Sequence, residues 1–474
     1  MLKSNKYSDR RSKRIEEQTR FFRTKITRNC KDRLTSLPDT LLVEILCLLP
    51  LKSAAATCVL SRRWRHLWTL LPHLVFDGGD LVDDYWSAES RFIKFNSTVN
   101  HILQQLTSPH IHTFDLRISD LGIEEQVCSA SLEAWIRLLA ARNVATIKVF
   151  SDFVWLPTCM FEIQSLVKLQ LVGCYDSTLP KIENVKLPNL KNLELIYSQV
   201  DPEETLWELI KFCPLLEVLS LLLEYIEVID ISAPNLKSLI IKQIPCGVKL
   251  VIDAPMLEHI ALDGFLGDYC FVKCLTRLVK ADLSIRDFIY SPSGLFRKIP
   301  SLLQGISSVK SLQLSNAPSF FTSLNCLYVD VGSIFRNLTH LIMDDCNDER
   351  TNVKNPIPVC LLSKLKVIEM LNTKWNADYV NLLDYILSNV NVLKRLYVSS
   401  VYDESINYKD DDDPEEQDFK RGQLWWEYEL SNTLLMIPKS SLTYEVEFVG
   451  NYIRVSSDKS QNGLIRTSCI STWG

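Results

Sequence analysis

Residues 166–174 read LVKLQLVGC, and the frame inside them, Leu166-x-x-Leu169-x-Leu171-x-x-Cys174, recurs along most of the chain. The same spacing returns at Leu190/Leu193/Leu195, Leu216/Leu219/Leu221, Leu236/Leu239/Ile241 and Leu257/Ile260/Leu262. Successive copies lie about 20 to 26 residues apart, a period at which each repeat is one short supersecondary unit. Upstream, Ile111/Phe114/Leu116 and Val144/Ile147/Val149 fit more loosely. Downstream, Val309/Leu312/Leu314, Leu338/Leu341/Met343, Leu365/Ile368/Met370 and Leu393/Leu396/Val398 continue at wider intervals, with Leu278/Ala281/Leu283 as a weak copy, for about a dozen turns in all. A Leu-x-Leu strand points both leucines to one side, and a lone turn has nothing to bury them against, so the turns must stack.

The spacing is that of a leucine-rich repeat. Loops such as Leu187-Pro188-Asn189-Leu190, Cys213-Pro214-Leu215-Leu216, Ala233-Pro234-Asn235-Leu236 and Ala254-Pro255-Met256-Leu257 place proline just before the strand, where its missing N–H is not needed by the ladder. The turns are irregular in length and short of the Asn that usually closes them. The alternative is an ordinary α/β domain of alternating strands and helices, and the repeated Pro-x-Leu-x-x-Leu frames argue against it.

Outward toward the N-terminus, residues 32–77 read DRLTSLPDTLLVEILCLLPLKSAAATCVLSRRWRHLWTLLPHLVFD. Pro38 and Pro50 divide three short apolar stripes, the pattern of three small helices. Asp39 is placed to cap the first, which carries Leu41, Leu42, Ile45, Leu46, Leu48 and Leu49. The second is alanine-rich and ends in Cys58, Val59 and Leu60. Ser61 is placed to cap the third, where Leu60, Trp64, Leu67, Trp68 and Leu71 recur at helical spacing. So short a stretch cannot bury all this apolar surface alone, and the surplus implies a partner or a neighbouring domain.

The order Leu-Pro-x-x-Leu-Leu-x-x-Ile-Leu-x-x-Leu-Pro, then Val59-Leu60-Ser61-Arg62-Arg63-Trp64-Arg65-x-Leu67-Trp68, resembles the F-box in its plant form over residues 32–78. The resemblance implies docking on a Skp-type adaptor and, through it, on the cullin and RING subunits of an SCF-type ubiquitin ligase. It carries adaptor contacts to Leu37, Pro38, Ile45, Leu46, Leu49, Pro50, Val59, Leu60, Trp64 and Trp68. Toward the C-terminus, the run Pro358 to Glu369 followed by Leu382 to Leu396 resembles the FBD region of plant F-box proteins with leucine-rich repeats.

The expected fold is therefore α/β: a three-helix F-box, then an irregular leucine-rich-repeat solenoid, a curved parallel sheet lined by helices and loops. The expected divisions are a basic disordered tail at 1–31, the F-box at 32–78, repeats at 79–355, an FBD-like region with last repeats and cap at 356–449 containing an acidic loop at 403–420, and a polar tail at 450–474. The first 31 residues hold eleven Lys or Arg against three acids, and Arg10 to Arg14 reads either as a nuclear-import signal or as a solvated tail. Nucleus, cytoplasm or both are the expected locations.

Several classes are disfavoured. A formal net charge of −5 gives no general pull toward nucleic acid, and no run approaches the roughly 20 apolar residues of a membrane span. Fourteen cysteines lie mainly in apolar runs, as buried thiols of a reducing compartment do. The pair Cys270/Cys274 and the pair His110/His112 lack further ligands at metal spacing. GxSxG, GxGxxG, GxxxxGK and HExxH motifs are missing, so the chain is expected not to be an enzyme.

Residues flanking the strand leucines are expected on the concave face and form the candidate substrate surface: Lys168, Gln170, Asn192, Glu194, Ser220, Lys242, His259 and Asp263, continued by Lys280, Asp282, His340, Asp344, Glu369 and Arg395. Some F-box receptors with such repeats hold an anionic cofactor under a ring of Lys and Arg. Here the signs mix, so the expectation is a protein substrate bound directly, with no inositol-phosphate-like cofactor. Two functions compete: a substrate receptor of a ubiquitin ligase, and a leucine-rich-repeat scaffold whose helical module packs only on its own repeats.

Overall fold

The computed structural model describes residues 34, 36–81, 88–118, 125–151, 156–173, 177–178, 185–198, 200–201, 203–223, 226–265, 270–273, 275–286, 299–315, 331–344, 357–372, 377–400, 414–436, 445–450, 453–457 and 465–469. The basic stretch 1–31, Cys174 and Cys274, and the acidic run 410–413 fall outside them. Two compact units divide the chain, Met1–Asp115 and Leu116–Gly474.

The first unit opens with helices α1 (Asp39–Leu46), α2 (Leu51–Ala56) and the single-turn α3 (Trp64–Leu67), with 3-10 turns at Thr57–Val59 and Trp68–Leu70. Prolines 38 and 50 precede α1 and α2 in extended backbone (ψ 151° and 142°), which ends whatever came before and sets the next helix direction. Asp39 is not the cap expected of it: it lies inside the first turn of α1, where its charge suits the helix dipole, and accepts a 2.7 Å hydrogen bond from Arg63 Nε. Arg63 also donates to the Leu37 carbonyl at 2.6 Å, tying the start of α1 to the approach of α3. Ser61 does not cap α3 either, since Arg63 is the residue before that helix and the Ser61 hydroxyl is buried without a partner. Past strand β1 (His73–Asp77), helix α4 (Ala88–Gln105) buries Phe92, Phe95, Val99 and Leu103, one stripe at helical spacing.

The second unit is a stack of strand-bearing turns. Numbering the strands of its main sheet onward from β2 (Thr113–Arg117), these are β3 (Thr146–Phe150), β4 (Lys168–Val172), β5 (Asn192–Ser198), β6 (Val218–Leu223), β7 (Ser238–Ile244), β8 (His259–Gly264), β9 (Lys280–Ile285), β10 (Ser311–Ser315), β11 (His340–Asp344), β12 (Val367–Leu371), β13 (Arg395–Ser399) and β14 (Glu445–Val449). From β3 to β14 each strand pairs with the next in parallel register, as stacked right-handed turns require. Each repeat frame found in the sequence from Ile147/Val149 to Leu396/Val398 sits on one of these strands.

Register makes the repeat into ladders. Leu169, Leu193, Leu219, Leu239, Ile260, Ala281, Leu312, Leu341, Ile368, Leu396 and Val446 are consecutive partners, all buried. Two residues on, Leu171 to Phe448 form a second buried ladder. Each fully buried leucine in such a row stabilises the stack by roughly 1.5–3 kcal/mol relative to exposure, and only with its neighbours present. A smaller parallel sheet, Cys270–Val272 with Lys249–Asp253 and Val228–Ser232, forms a second layer.

The proline loops are β-turns. Leu190, Leu216, Leu236 and Leu257 each donate their N–H to the carbonyl three residues back, at 3.0–3.3 Å, with proline at the second position of the turn. Gly264, at φ +128°, ends β8 where a Cβ would stand 2.3 Å from the Ile244 nitrogen, beside the register break between Ile241 and Ile244.

The C-terminal part departs from expectation twice. The acidic loop expected to run to residue 420 gives way at Pro414 to helix α9 (Pro414–Met436). Proline needs no N–H at a helix start, so Pro414 is well suited to open it. The tail expected from residue 450 instead carries β15 (Ile453–Ser457) and β16 (Ile465–Cys469), antiparallel to each other, with β15 antiparallel to β14. Helix α9 buries Trp426, Leu430 and Leu434, and the fully buried Glu427 accepts the Ile453 N–H at 2.9 Å. Gly450 makes room for that carboxylate, which a Cβ would meet at 2.3 Å.

Candidate functional site

The helical module divides its large apolar residues by face. Leu42 and Leu46, four apart on α1, are fully buried, as are Trp64, Leu67 and Trp68 to within 8%. Of the residues expected at the adaptor, Leu46, Trp64 and Trp68 therefore form the floor of the module; packing of α1 against α3 and the turn after it explains why. Leu37 and Ile45 are half-buried, and Pro38 and Pro50 are exposed. Leu49, Val59 and Leu60 remain open, Val59 at 84%. Sequence reasoning passed over Leu41 and Leu48 as site residues, although Leu48 is also 84% exposed. The signal was present: Leu41, Ile45 and Leu48 recur at i, i+4, i+7 beside the Leu42/Leu46 pair, a second apolar stripe that runs along α1 into the turn after it. An exposed apolar residue is unremarkable singly; eight within residues 34–75 call for cover.

On the sheet, the residues between the buried ladders line its open face. Lys168 pairs in register with Asn192, and Gln170, Glu194 and Ser220 are neighbours on three consecutive strands, all half-buried. Lys242 is exposed and falls in the β7 register break, so no strand partner stands beside it. Asp263 is partly committed: its carboxylate accepts the Gln243 N–H at 3.2 Å and so holds that break in place. Asp344 accepts from the Asn372 amide at 3.0 Å, and Arg395 donates to Glu447 at 2.9 Å. A second guanidinium, Arg454, with Arg395 beside it, holds the Glu447 carboxyl below the usual carboxylate range.

A dense polar cluster among the described residues draws together groups that the sequence scatters over three repeats. His259 Nε2 lies 2.8 Å from Asp282 Oδ2, its Nδ1 lies 3.2 Å from the Ser238 hydroxyl, and Lys280 Nζ donates to the same Asp282 oxygen at 3.0 Å. A carboxylate only accepts, so Nε2 carries a proton, while Nδ1 shares a hydrogen bond with the Ser238 hydroxyl. The other Asp282 oxygen is buried without a partner. The Ser–His–Asp order superficially suggests acyl transfer. However, the Ser238 N–H is spent on the Glu217 carbonyl at 3.0 Å, as the His259 N–H is on Lys237, and among the described residues no free backbone donors converge on Ser238 to hold an oxyanion. The cluster suits polar recognition.

Comparison with known proteins matches the first unit and the repeats separately. Residues 34–75 match the family model of the F-box domain, and residues 132–281 match the model described as FBD-associated F-box protein At5g56370, LRR repeats. F-box/LRR-repeat protein 13 of Arabidopsis thaliana is 28% identical over 426 residues, covering 80% of this chain and 91% of the relative. The putative FBD-associated F-box protein At5g50270 of the same plant is 27% identical over 427 residues, covering 79% of this chain and 98% of the relative. The F-box/FBD/LRR-repeat protein At5g56420 is 26% identical over 335 residues, 67% of this chain and 71% of the relative. The chain thus holds an F-box match followed by a leucine-rich-repeat match, and over most of its length it is similar to plant F-box/FBD/LRR-repeat proteins.

Proposed function

We propose that the chain is the substrate-recognition subunit of an SCF-type, cullin–RING ubiquitin ligase. The observation that carries this reading is the pair of 84%-exposed aliphatic residues, Leu48 and Val59, on a helical module that matches the F-box. In this reading Leu41, Ile45, Leu48, Leu49, Val59 and Leu60 meet a Skp-type adaptor, with Leu37, Pro38 and Pro50 at the margins and Leu46, Trp64 and Trp68 as the framework behind them. The open face of the sheet, from Lys168 and Gln170 through Asn192, Glu194, Ser220, Lys242, His259 and Asp263, holds the protein to be ubiquitinated. Transfer chemistry belongs to the other subunits. Nucleus and cytoplasm are the compartments proposed, with Arg10 to Arg14 as the import element; a fluorescent fusion with these residues changed to Ser tests it.

The test of the main reading is co-purification of the full chain with a Skp-type adaptor and, through it, with cullin. A chain that stays alone at micromolar concentrations of both proteins overturns the ligase reading and leaves the non-catalytic scaffold in its place.

A further inference from the structure

The residue immediately before each strand forms a continuous row along the rim at which the chain enters the sheet. Backbone N–H to C=O bonds at 2.7–3.0 Å link Lys191, Glu217, Lys237, Glu258, Val279, Lys310, Thr339, Lys366 and Lys394 in that order. The charge pattern along this row changes halfway. In its first half, signs alternate and cancel: Glu217 lies 3.0 Å from Lys237 and 3.5 Å from Lys191, and these ion pairs hold its carboxyl low. From Val279 to Lys394 the row has no acid, and Lys310, Lys366 and Lys394 are exposed with no ion pair among the described residues.

The turns leading into these strands show the same change. Those of the first half carry proline; Leu275–Leu278, Ile306–Val309 and Leu362–Leu365 make the same hydrogen-bonded turn without it. Freed of proline, these turns and the one before Thr339 add Arg277, Arg336 and Lys364, again with no acid. Between two of them Ser307, Ser308, Arg336 and Asn337 help line an open cavity of about 590 Å³ with no carboxylate among its described lining residues. Lys280 and Arg395 lie nearby but are already paired with Asp282 and Glu447.

We propose that this rim, carried by Lys310, Lys366 and Lys394 with Arg277, Arg336 and Lys364, docks an Asp/Glu-rich segment of the protein the chain recruits. The charge complementarity names the occupant. Rungs of a sheet stand about 4.8 Å apart, so the three lysines are spaced at roughly 10 and 5 Å, within reach of side chains two to three residues apart on an extended peptide. A nucleic acid fits less well, because Asp344 and Glu369 on the same turns stand on the adjoining open face and repel a polyphosphate. The inference deepens the receptor reading and rests on it for the word "recruits"; the docking itself does not depend on the adaptor.

The experiment is fluorescence anisotropy of a labelled peptide of alternating Glu and Ser, titrated with the full chain at two salt concentrations. Binding that weakens with salt is expected, with the Gln/Ser counterpart not bound. Lys310→Glu, Lys366→Glu and Lys394→Glu together should weaken binding about tenfold or more, and the corresponding Gln variant by less. Lys191→Glu with Lys237→Glu, on the self-neutralised half, should change it by less than about twofold. Unchanged binding by the triple Glu variant, equal binding of the Gln/Ser peptide, or displacement by single-stranded DNA at lower concentration than by the acidic peptide each overturn the proposal. Adaptor capture measured on the same samples separates the two readings: its loss with peptide binding intact removes the ligase assignment and leaves this site standing.

Discussion

Replacing both Leu48 and Val59 with alanine isolates the adaptor surface from the core beneath it. Leu→Ala removes three carbons and Val→Ala two, and burying each is worth about 0.8 kcal/mol. Both side chains start 84% exposed, so nearly all of that area is available to be covered by a partner. If the adaptor covers it fully, the pair contributes about 3 kcal/mol, a weakening of Kd by more than about a hundredfold. Because neither side chain is buried in the free chain, the midpoint of thermal unfolding should move by no more than about 1–2 °C. Titration calorimetry with a purified Skp-type adaptor measures the first quantity and a melting curve the second. The contrast is Leu46→Asp with Trp64→Asp: these residues are 0% and 3% exposed, so that variant should lose adaptor binding by unfolding the module, with the melting curve showing it. A Leu48→Ala, Val59→Ala chain that binds within about threefold of the parent refutes the assignment of the interface, since no other large apolar residue described in the module is as exposed.

Three further outcomes follow from particular contacts. Gly264→Ala should destabilise the repeat unit by several kcal/mol in a denaturant titration, because its Cβ lands 2.3 Å from the Ile244 backbone nitrogen at φ +128°; Gly247→Ala, at φ +88° with no atom within 4 Å, should cost about 1 kcal/mol. Cys213, whose thiol burial pushes up to about 12, should resist maleimide at pH 8 in the folded chain, while the exposed Cys246 and Cys360 react; peptide mapping decides, and early labelling of Cys213 would show that its turn opens. Glu447 has a depressed folded-state pKa, so its contribution is fully present above the ordinary carboxylate value of 4.5 and lost as pH falls through the lower folded value. Glu447→Gln should therefore be less stable than the parent by about 1 kcal/mol at pH 7, with the gap closing as pH falls through the lowered folded-state value; a gap that does not narrow in acid removes the ion pairs as its cause.

What could be read from the chain depended on whether the signal was periodic. Leu-x-x-Leu-x-Leu recurs because every turn solves the same burial problem, and so the strands from β3 to β13 fall on the frames visible in the sequence. The small sheet of Val228–Ser232, Lys249–Asp253 and Cys270–Val272 belongs to the other side of those turns and repeats only three times, too few to stand out. Strands β15 and β16 went unseen because Ile453-x-Val455 offers only two apolar residues among polar ones, and their pairing is antiparallel, outside the repeat. The start of α9 was hidden by its acids, which look like a solvated run until Pro414 is read as a first helical residue. At the adaptor surface the family pattern marked the right segments but could not separate floor from surface: Trp64 and Val59 carry equal weight in a motif, and only the packing of α1 on α3 distinguishes 3% from 84% exposure.

That separation extends to the sheet and bears on how such a chain recognises its partner. Along β9, Ala281 and Leu283 belong to the buried ladders while Lys280, Asp282 and Ser284 face outward, so stability and recognition occupy alternate residues of the same strand. Exchanging an outward residue costs little, generally within about 0.5 kcal/mol where it is unpaired, whereas truncating a rung costs about 2–5 kcal/mol. The exceptions are outward groups already bound to one another, His259 with Asp282 and Arg395 with Glu447, which hold a fixed shape before any partner arrives. Fixed groups give discrimination, because a partner must match donors and acceptors that cannot rearrange cheaply, while the unpaired lysines of the rim give attraction at a distance. His259→Ala should accordingly shift preference among bound segments more than the rate of association, and Lys366→Glu should do the reverse. Stopped-flow association rates and equilibrium affinities for two acidic peptides of different sequence measure both, and equal effects of the two substitutions on rate would refute this division of labour.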